Sequence, residues 1–200
     1  AYAGGIAGHA GYRGISNCCV TNCHIFVDSI WSYAGGVAGN NSAPMENCHV
    51  NGGTVRAQGK RAYAGGLVGE NRHNISLCSS AGGVTAQASQ DYYAHAYAGG
   101  IVGHNSSGNI CDSYNTGNIT IEDSTHYSCA GGIAGYFQSD RPSPSISRCY
   151  NTGAILVSGT DNCAGGIAGE CADDILDCYN IGNVTVFSST STLSQNSVGG

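Results

Sequence analysis

No run of 18 apolar residues occurs in the 200-residue sequence, so no segment can cross a bilayer as a helix. Charge is scarce: Asp, Glu, Lys and Arg make up 10% of the chain, against about 25% in ordinary globular proteins. There is one lysine, Lys60, beside six arginines. Without a basic stripe, nucleic acid is excluded as a partner. The acidic residues are scattered and form no tail. Only five leucines are present, too few for leucine-rich repeats. No His-Glu-x-x-His occurs, and no signal peptide is visible. Low charge with 32 glycines suits a disordered chain, but the apolar positions here are aliphatic and periodic, which excludes that reading.

What the chain does contain is one phrase written six times. Ala3-Gly4-Gly5-Ile6-Ala7-Gly8 returns from Ala34, Ala64, Ala98, Ala130 and Ala164, and a seventh copy begins at Val198. The spacings are 31, 30, 34, 32, 34 and 34 residues. A fixed period of this size signals a stacked repeat architecture. The whole chain, 1–200, reads as a single array with repeats starting near 2, 33, 63, 97, 129 and 163.

Each period carries three β signals. The first is the glycine phrase, preceded by Tyr2, Tyr33, Tyr63, Tyr97, Cys129 or Cys163. The second is Ile-x-x-Cys, followed by a turn at Gly or Asn, residues that tolerate positive φ. The third alternates with period two, as in Ile25/Val27, Val55/Ala57, Ile119/Ile121 and Ile155/Val157. Such alternation turns one face inward. Three short strands per period cannot form a closed unit, so each coil must bury its inner face on the next. The sequence therefore predicts an all-β fold, a parallel β-solenoid of about six coils of 30–34 residues with three short strands per coil. A β-propeller needs about 40–45 residues per blade.

By parity Tyr33, Gly35, Val37 and Gly39 share one inward face. The structural glycines Gly35, Gly36, Gly39, Gly65, Gly66, Gly69, Gly99, Gly100 and Gly103 then let another wall of the coil approach closely. A phosphate-binding role would need a following helix, and none is signalled.

Eleven cysteines are present. Cys18, Cys48, Cys78, Cys149 and Cys178 hold one repeat position and predict an inward column of reduced thiols, interrupted by Ser113. Cys129 and Cys163 fall at the Tyr position. They are the candidate disulfide, although directly stacked Cβ atoms about 4.8 Å apart fit poorly with the 3.8 Å or so that a disulfide prefers. Cys18, Cys19, Cys23 and His24 form the local cluster nearest to a zinc pattern, but neighbours on a strand face opposite ways, so no metal site is expected. No cofactor is implied either.

Glu170, Asp173, Asp174 and Asp177, with Asp140 and Arg141 stacked below, are the densest charged group and the place to test for glycan cleavage. Thr85, Thr120 and Thr185 share a column that Arg56 and Leu156 interrupt. The columns His9, Asn40, Glu70, His104, Tyr136, Glu170 and Ala10, Asn41, Asn71, Asn105, Phe137, Cys171 vary freely and read as exposed. Loops lengthen at Gln87–Ala96, Glu122–Tyr127 and Gln138–Ser145, which are the places to seek a partner.

Gly-Gly-Leu/Ile-Val/Ala-Gly followed by Cys-Tyr-Asn-x-Gly, as in Ala164–Gly169 with Cys178–Gly182, resembles the GLUG repeat over essentially the whole chain. That family occurs in large bacterial cell-surface proteins and beside some immunoglobulin A-cleaving metallopeptidases. The resemblance implies an extracellular, non-enzymatic β-solenoid module: a stalk, display or filament-forming rod, or an adhesin. A carbohydrate-active solenoid is the alternative. The expected partners are flanking coils or copies of the chain end to end, with a host or glycan ligand at the variable loops. The chain opens and closes inside the repeat phrase, so it reads as an excerpt of a longer array.

Overall fold

The computed structural model describes residues 1–91, 93–124, 127–138, 144–188 and 197–199. Every element among them is a strand, and every pairing given is parallel. The molecule is a parallel β-solenoid of six coils. Like residues stack on like: Tyr33, Ala34 and Gly35 pair in register with Tyr63, Ala64 and Gly65, and Cys129 pairs with Cys163.

The three β signals of each coil lie in four sheets, because the glycine phrase contributes a strand to each of two. In the second coil these are Trp31–Gly35 and Ala38–Asn41, with a bend at residues 36 and 37. Met45–Glu46 forms the third sheet and His49–Gly59 the fourth. In later coils the last strand divides in two, as in Ser79–Ser80 and Gly83–Ala88.

The bend corrects the parity reading of the phrase. Ala34 faces one core, with Val55, Ala57, Val84 and Ile119. Val37 faces another, with Met45, Cys48, Ile75 and Ile110. Tyr33 belongs to neither and packs in a third cluster with Tyr63, Tyr97 and Cys129. Alternation persists only within a straight strand, and the corner resets it.

Between the two large cores the coil is pinched. A Cβ added to Gly36 would lie 2.3 Å from the Gly66 carbonyl and 2.7 Å from a Val50 methyl. At Gly100 it would lie 2.1 Å from the Gly132 carbonyl and 2.4 Å from Asn115. Only hydrogen fits where two walls of the coil touch.

The wall opposite these glycines changes from Val20 and Val50 in the first two coils, through Ser80, to asparagine in the later ones. Asn115 donates from Nδ2 to Asn151 Oδ1 at 2.8 Å, and Asn151 donates to Asn180 Oδ1 at 2.8 Å. Each amide also closes its own turn: Asn151 Nδ2 bonds the Gly153 carbonyl at 2.8 Å while its Oδ1 accepts the Gly153 N–H at 3.2 Å. A second ladder runs through Asn41, Asn71 and Asn105 at 2.8 and 2.7 Å. These residues are 0% exposed, which corrects the expectation that their column lies on the surface; Phe137, in the same column, is also in the core. Asparagine has two donors and one strong acceptor, enough to serve its own turn and both neighbouring coils. That satisfaction is what makes a buried polar column tolerable.

The Ile-x-x-Cys corner follows similar logic. The residue before each column member has positive φ: Asn17, Asn47, Leu77, Asp112, Arg148 and Asp177. The side chain that follows folds back. Cys78 Sγ donates to the Ser76 carbonyl at 3.0 Å and Ser113 Oγ to the Cys111 carbonyl at 2.8 Å. Each also accepts a backbone N–H from the preceding coil, Cys48 onto Cys78 Sγ at 3.4 Å and Cys78 onto Ser113 Oγ at 3.1 Å. Cys48, Cys78 and Cys149 are buried, with Cys18 and Cys178 packed against the same core. Ser113 stands in the column because it makes the same two bonds. Burial pushes the Cys149 thiol up to about 12, so it stays neutral.

Substitution tests the pinch directly. Gly100→Ala is expected to cost about 3 kcal/mol or more, since neither a backbone carbonyl nor a bonded asparagine can give way. Gly11→Ala, where an added Cβ meets nothing within 4 Å, is expected to change stability by less than about 0.5 kcal/mol. Urea unfolding midpoints at unchanged m-value provide the comparison.

Candidate functional site

The corner at the glycine phrase opens the outer faces of the first two sheets toward each other. One wall of this cleft is the Tyr column. Tyr63 and Tyr97 stack at 5.0 Å, and Tyr33 meets Tyr63 edge-on at 5.2 Å. The other wall is the column of His9, Asn40, Glu70, His104, Tyr136 and Glu170. Contrary to the surface reading, its middle members are covered: Asn40 is 2% and Glu70 7% exposed. Asn40 Nδ2 donates to Glu70 Oε2 at 2.6 Å, and Arg72 pairs with Oε1 at 3.0 Å. His104 lies between Tyr63, Tyr97 and Tyr136, with ring centroids 5.0, 5.7 and 5.5 Å away. Burial, reinforced by His95, Arg72 and Arg61, lowers its pKa from 6.5 to about 4. Burial likewise pushes the Tyr63 and Tyr97 hydroxyls up.

Further along the cleft, thiols replace the aromatic wall. Cys129 is buried and Cys163 half-buried, and neither forms a disulfide. This corrects the expected bridge: their strands pair in direct register, where Cβ vectors run parallel at about the strand spacing. Glu170 reaches across, its Oε2 3.8 Å from Cys129 Sγ. The two sulfurs and one carboxylate oxygen all lie within 4.8 Å of one another, a donor set able to hold a metal ion. The Tyr127 hydroxyl is 3.9 Å from Cys163 Sγ. No other such group of three occurs among the described residues. At the first coil Cys18 and Cys23 pack against the core while Cys19 is exposed, so that cluster does not converge.

A second concavity lies where the coils lengthen. Arg61, Tyr93, Ala94, His95, Tyr127 and Asp161 line a groove of about 660 Å³. Tyr93 and Tyr127 come from the segments between Ala88 and His95 and between Ser124 and Ser128, within the first two loops expected from period length. Most of the third, residues 139–143, falls outside the described residues. Arg61 sits over the Trp31 ring, its Cζ 5.0 Å from the centroid, so its guanidinium bridges the groove to an aromatic ring on the preceding coil.

The acidic group does not come together as one face. Glu170 turns into the cleft from the second sheet, whereas Asp174 lies on the third and Asp173 and Asp174 act on the Cys171 thiol. Asp140 and Arg141 lie outside the described residues. The Thr85, Thr120 and Thr185 column is in register with Arg56 and Leu156 as read, and interrupted by them. Missing from the sequence reading is a stack of Tyr114, Tyr150 and Tyr179 at 4.8 and 5.1 Å, with ring planes nearly parallel. Its signal was the Tyr-Asn-x-Gly motif itself, since identical residues at one repeat position must stack. No protein-family model, curated protein or solved structure matches the chain.

The cleft carries a pH dependence of definite sign. His104 is depressed in the fold, so the unfolded chain takes up its proton first as pH falls. Stability is fully present above about 6.5 and is lost between about 6.5 and 4, by about 3 kcal/mol at most. The charged groups facing the ring are Glu70, Arg72, Arg61 and His95. His104→Asn puts in the residue that Asn40 holds at this position. The expected outcome is that the stability difference between wild type and variant, measured by urea unfolding, shrinks as pH falls across that window.

Proposed function

We propose that the chain is a non-enzymatic, structural and adhesive solenoid module of an extracellular surface protein, which holds a glycan in the groove at its lengthened loops. The observation that carries this reading is the groove itself. Three successive coils contribute Tyr93, Tyr127 and Asp161, and Arg61 and His95 join them from the adjoining strands. Aromatic faces bind the apolar faces of sugar rings, while a few convergent polar groups fix orientation. Loops on a rigid scaffold are where binding residues concentrate, and here the scaffold is a rod with ladders running along it.

The separation of Glu170 from Asp174 favours binding over cleavage, because glycosidases need two carboxyl groups flanking one bond. The likeness of the glycine phrase to GLUG repeats supports the extracellular assignment.

A panel of immobilised neutral and acidic polysaccharides tests the proposal. Binding by the chain is expected, weakened at least about tenfold by Tyr93→Ala or Tyr127→Ala, a change of about 1.4 kcal/mol. Tyr12→Ala, at a residue 98% exposed and outside the groove, should leave it unchanged. No binding to any member, or binding indifferent to both groove variants, contradicts the proposal.

A further inference from the structure

Cys129, Cys163 and Glu170 depart from the repeat in a way that packing alone does not require. Four coils place an aromatic ring at the first position of the glycine phrase, and rings fill the cleft there. Two consecutive coils place cysteine instead, which sets two thiols one strand spacing apart. Facing them is a carboxylate without a counter-ion. The contrast with Glu70, at the same repeat position three coils earlier, is informative. Glu70 is satisfied by the Asn40 amide and by Arg72 two residues on. The residue two after Glu170 is Ala172, and no ion pair to Glu170 occurs among the described residues. A half-buried carboxylate against two thiols lacks a positive charge.

We propose that Cys129, Cys163 and Glu170 bind a divalent, thiophilic metal ion, with zinc as the fitting ion. Tetrahedral zinc with Zn–S near 2.3 Å and Zn–O near 2.1 Å has S···S edges of about 3.8 Å and S···O edges of about 3.6 Å. The Cys129 Sγ to Glu170 Oε2 separation of 3.8 Å is already close to that edge, and the third atom lies within 4.8 Å of both. Thiolate and carboxylate ligands together suit zinc over calcium or magnesium, which take oxygen donors. On binding, each thiol gives its proton to solvent as its sulfur bonds the metal. Three protein ligands leave the fourth position to water, on the side where Cys163 and Glu170 meet solvent. The ion would tie the fifth and sixth coils together, across two sheets that no covalent bond joins at that point. This site adjoins the glycan groove, whose Tyr127 hydroxyl lies 3.9 Å from Cys163 Sγ, but neither proposal depends on the other.

Cobalt(II) titration of the full chain under anaerobic, reducing conditions tests it. One equivalent should produce a thiolate-to-cobalt charge-transfer band, bleached by one equivalent of zinc. Loss of a ligand should cost at least the upper end of the 10–100-fold typical of outer-shell changes: Cys163→Ser and Glu170→Gln are each expected to weaken cobalt binding at least about 100-fold. Cys19→Ser should leave the titration unchanged. Cys163 and Glu170 are partly exposed, so both variants should keep the wild-type circular dichroism spectrum. If Cys163→Ser unfolds, Glu170→Gln decides on the same titration. Absence of the band in the reduced wild-type chain, a band unaffected by both variants, or a band lost in Cys19→Ser overturns the proposal.

Discussion

The contact between the second glycine of each phrase and the wall opposite it is the constraint on which this solenoid depends. A coil of this period that enclosed one round core would have to fill a wide interior. Pinching it at Gly36, Gly66, Gly100, Gly132 and Gly166 divides the interior into two narrow cores, each thin enough for Ile, Val, Ala and Cys to fill. The pinch also explains the opposite wall. In the first coils Val20, Val50 and Ser80 lie against the glycines, and in the later ones Asn115, Asn151 and Asn180, whose amides bond their own turns and each other along the stack. In those later coils the absent glycine Cβ leaves the room that the asparagine side chain occupies.

The same corner creates the surfaces that carry function. Turning the chain between Gly35 and Ala38 sends Ala34 and Val37 into different cores and leaves the Tyr column facing the Glu70 and His104 column. A solenoid with flat walls would have no such cleft. The wall built from the Tyr column varies from coil to coil, with aromatic rings in the first four and thiols in the last two. The lengthened loops add the groove above His95, whose ring stands 5.8 Å from Tyr63, so cleft and groove share a wall.

Much of the scaffold was legible in the sequence, because stacking turns a repeat position directly into a column. Val55, Val84, Ile119 and Ile155 are inward for the reason their alternation suggests. Cys48, Cys78 and Cys149 lie in one column with Ser113 in the gap, although their hydrogen bonds, rather than their apolarity, explain why serine is the substitute. The cleft was not legible. Parity read straight through Tyr33-Ala34-Gly35-Gly36-Val37 places Tyr33 and Val37 on one face, and nothing local marks the corner. Asn41, Asn71 and Asn105 read as exposed on another ground, the free variation of their column, although parity counted from Val37 turns Asn41 inward. Their recurrence at one repeat position was the available signal, since a polar column in a stack is a ladder. The thiol–carboxylate group was illegible for a different reason: Cys129 and Glu170 stand 41 residues apart on different sheets, and only the corner brings them together.

Native-state hydrogen exchange reads the central contact most directly. The amides of Gly66, Gly100 and Gly132 donate to carbonyls of the following coil at 3.0, 3.2 and 3.3 Å from within the pinch. If the pinch holds the two cores together, these amides open only when the whole array unfolds, and their opening free energies match the global value from urea. Exchange of the three at the rate of the exposed residues Tyr12 and Arg13, with the strands around them still protected, would show that the contact is not what the fold depends on.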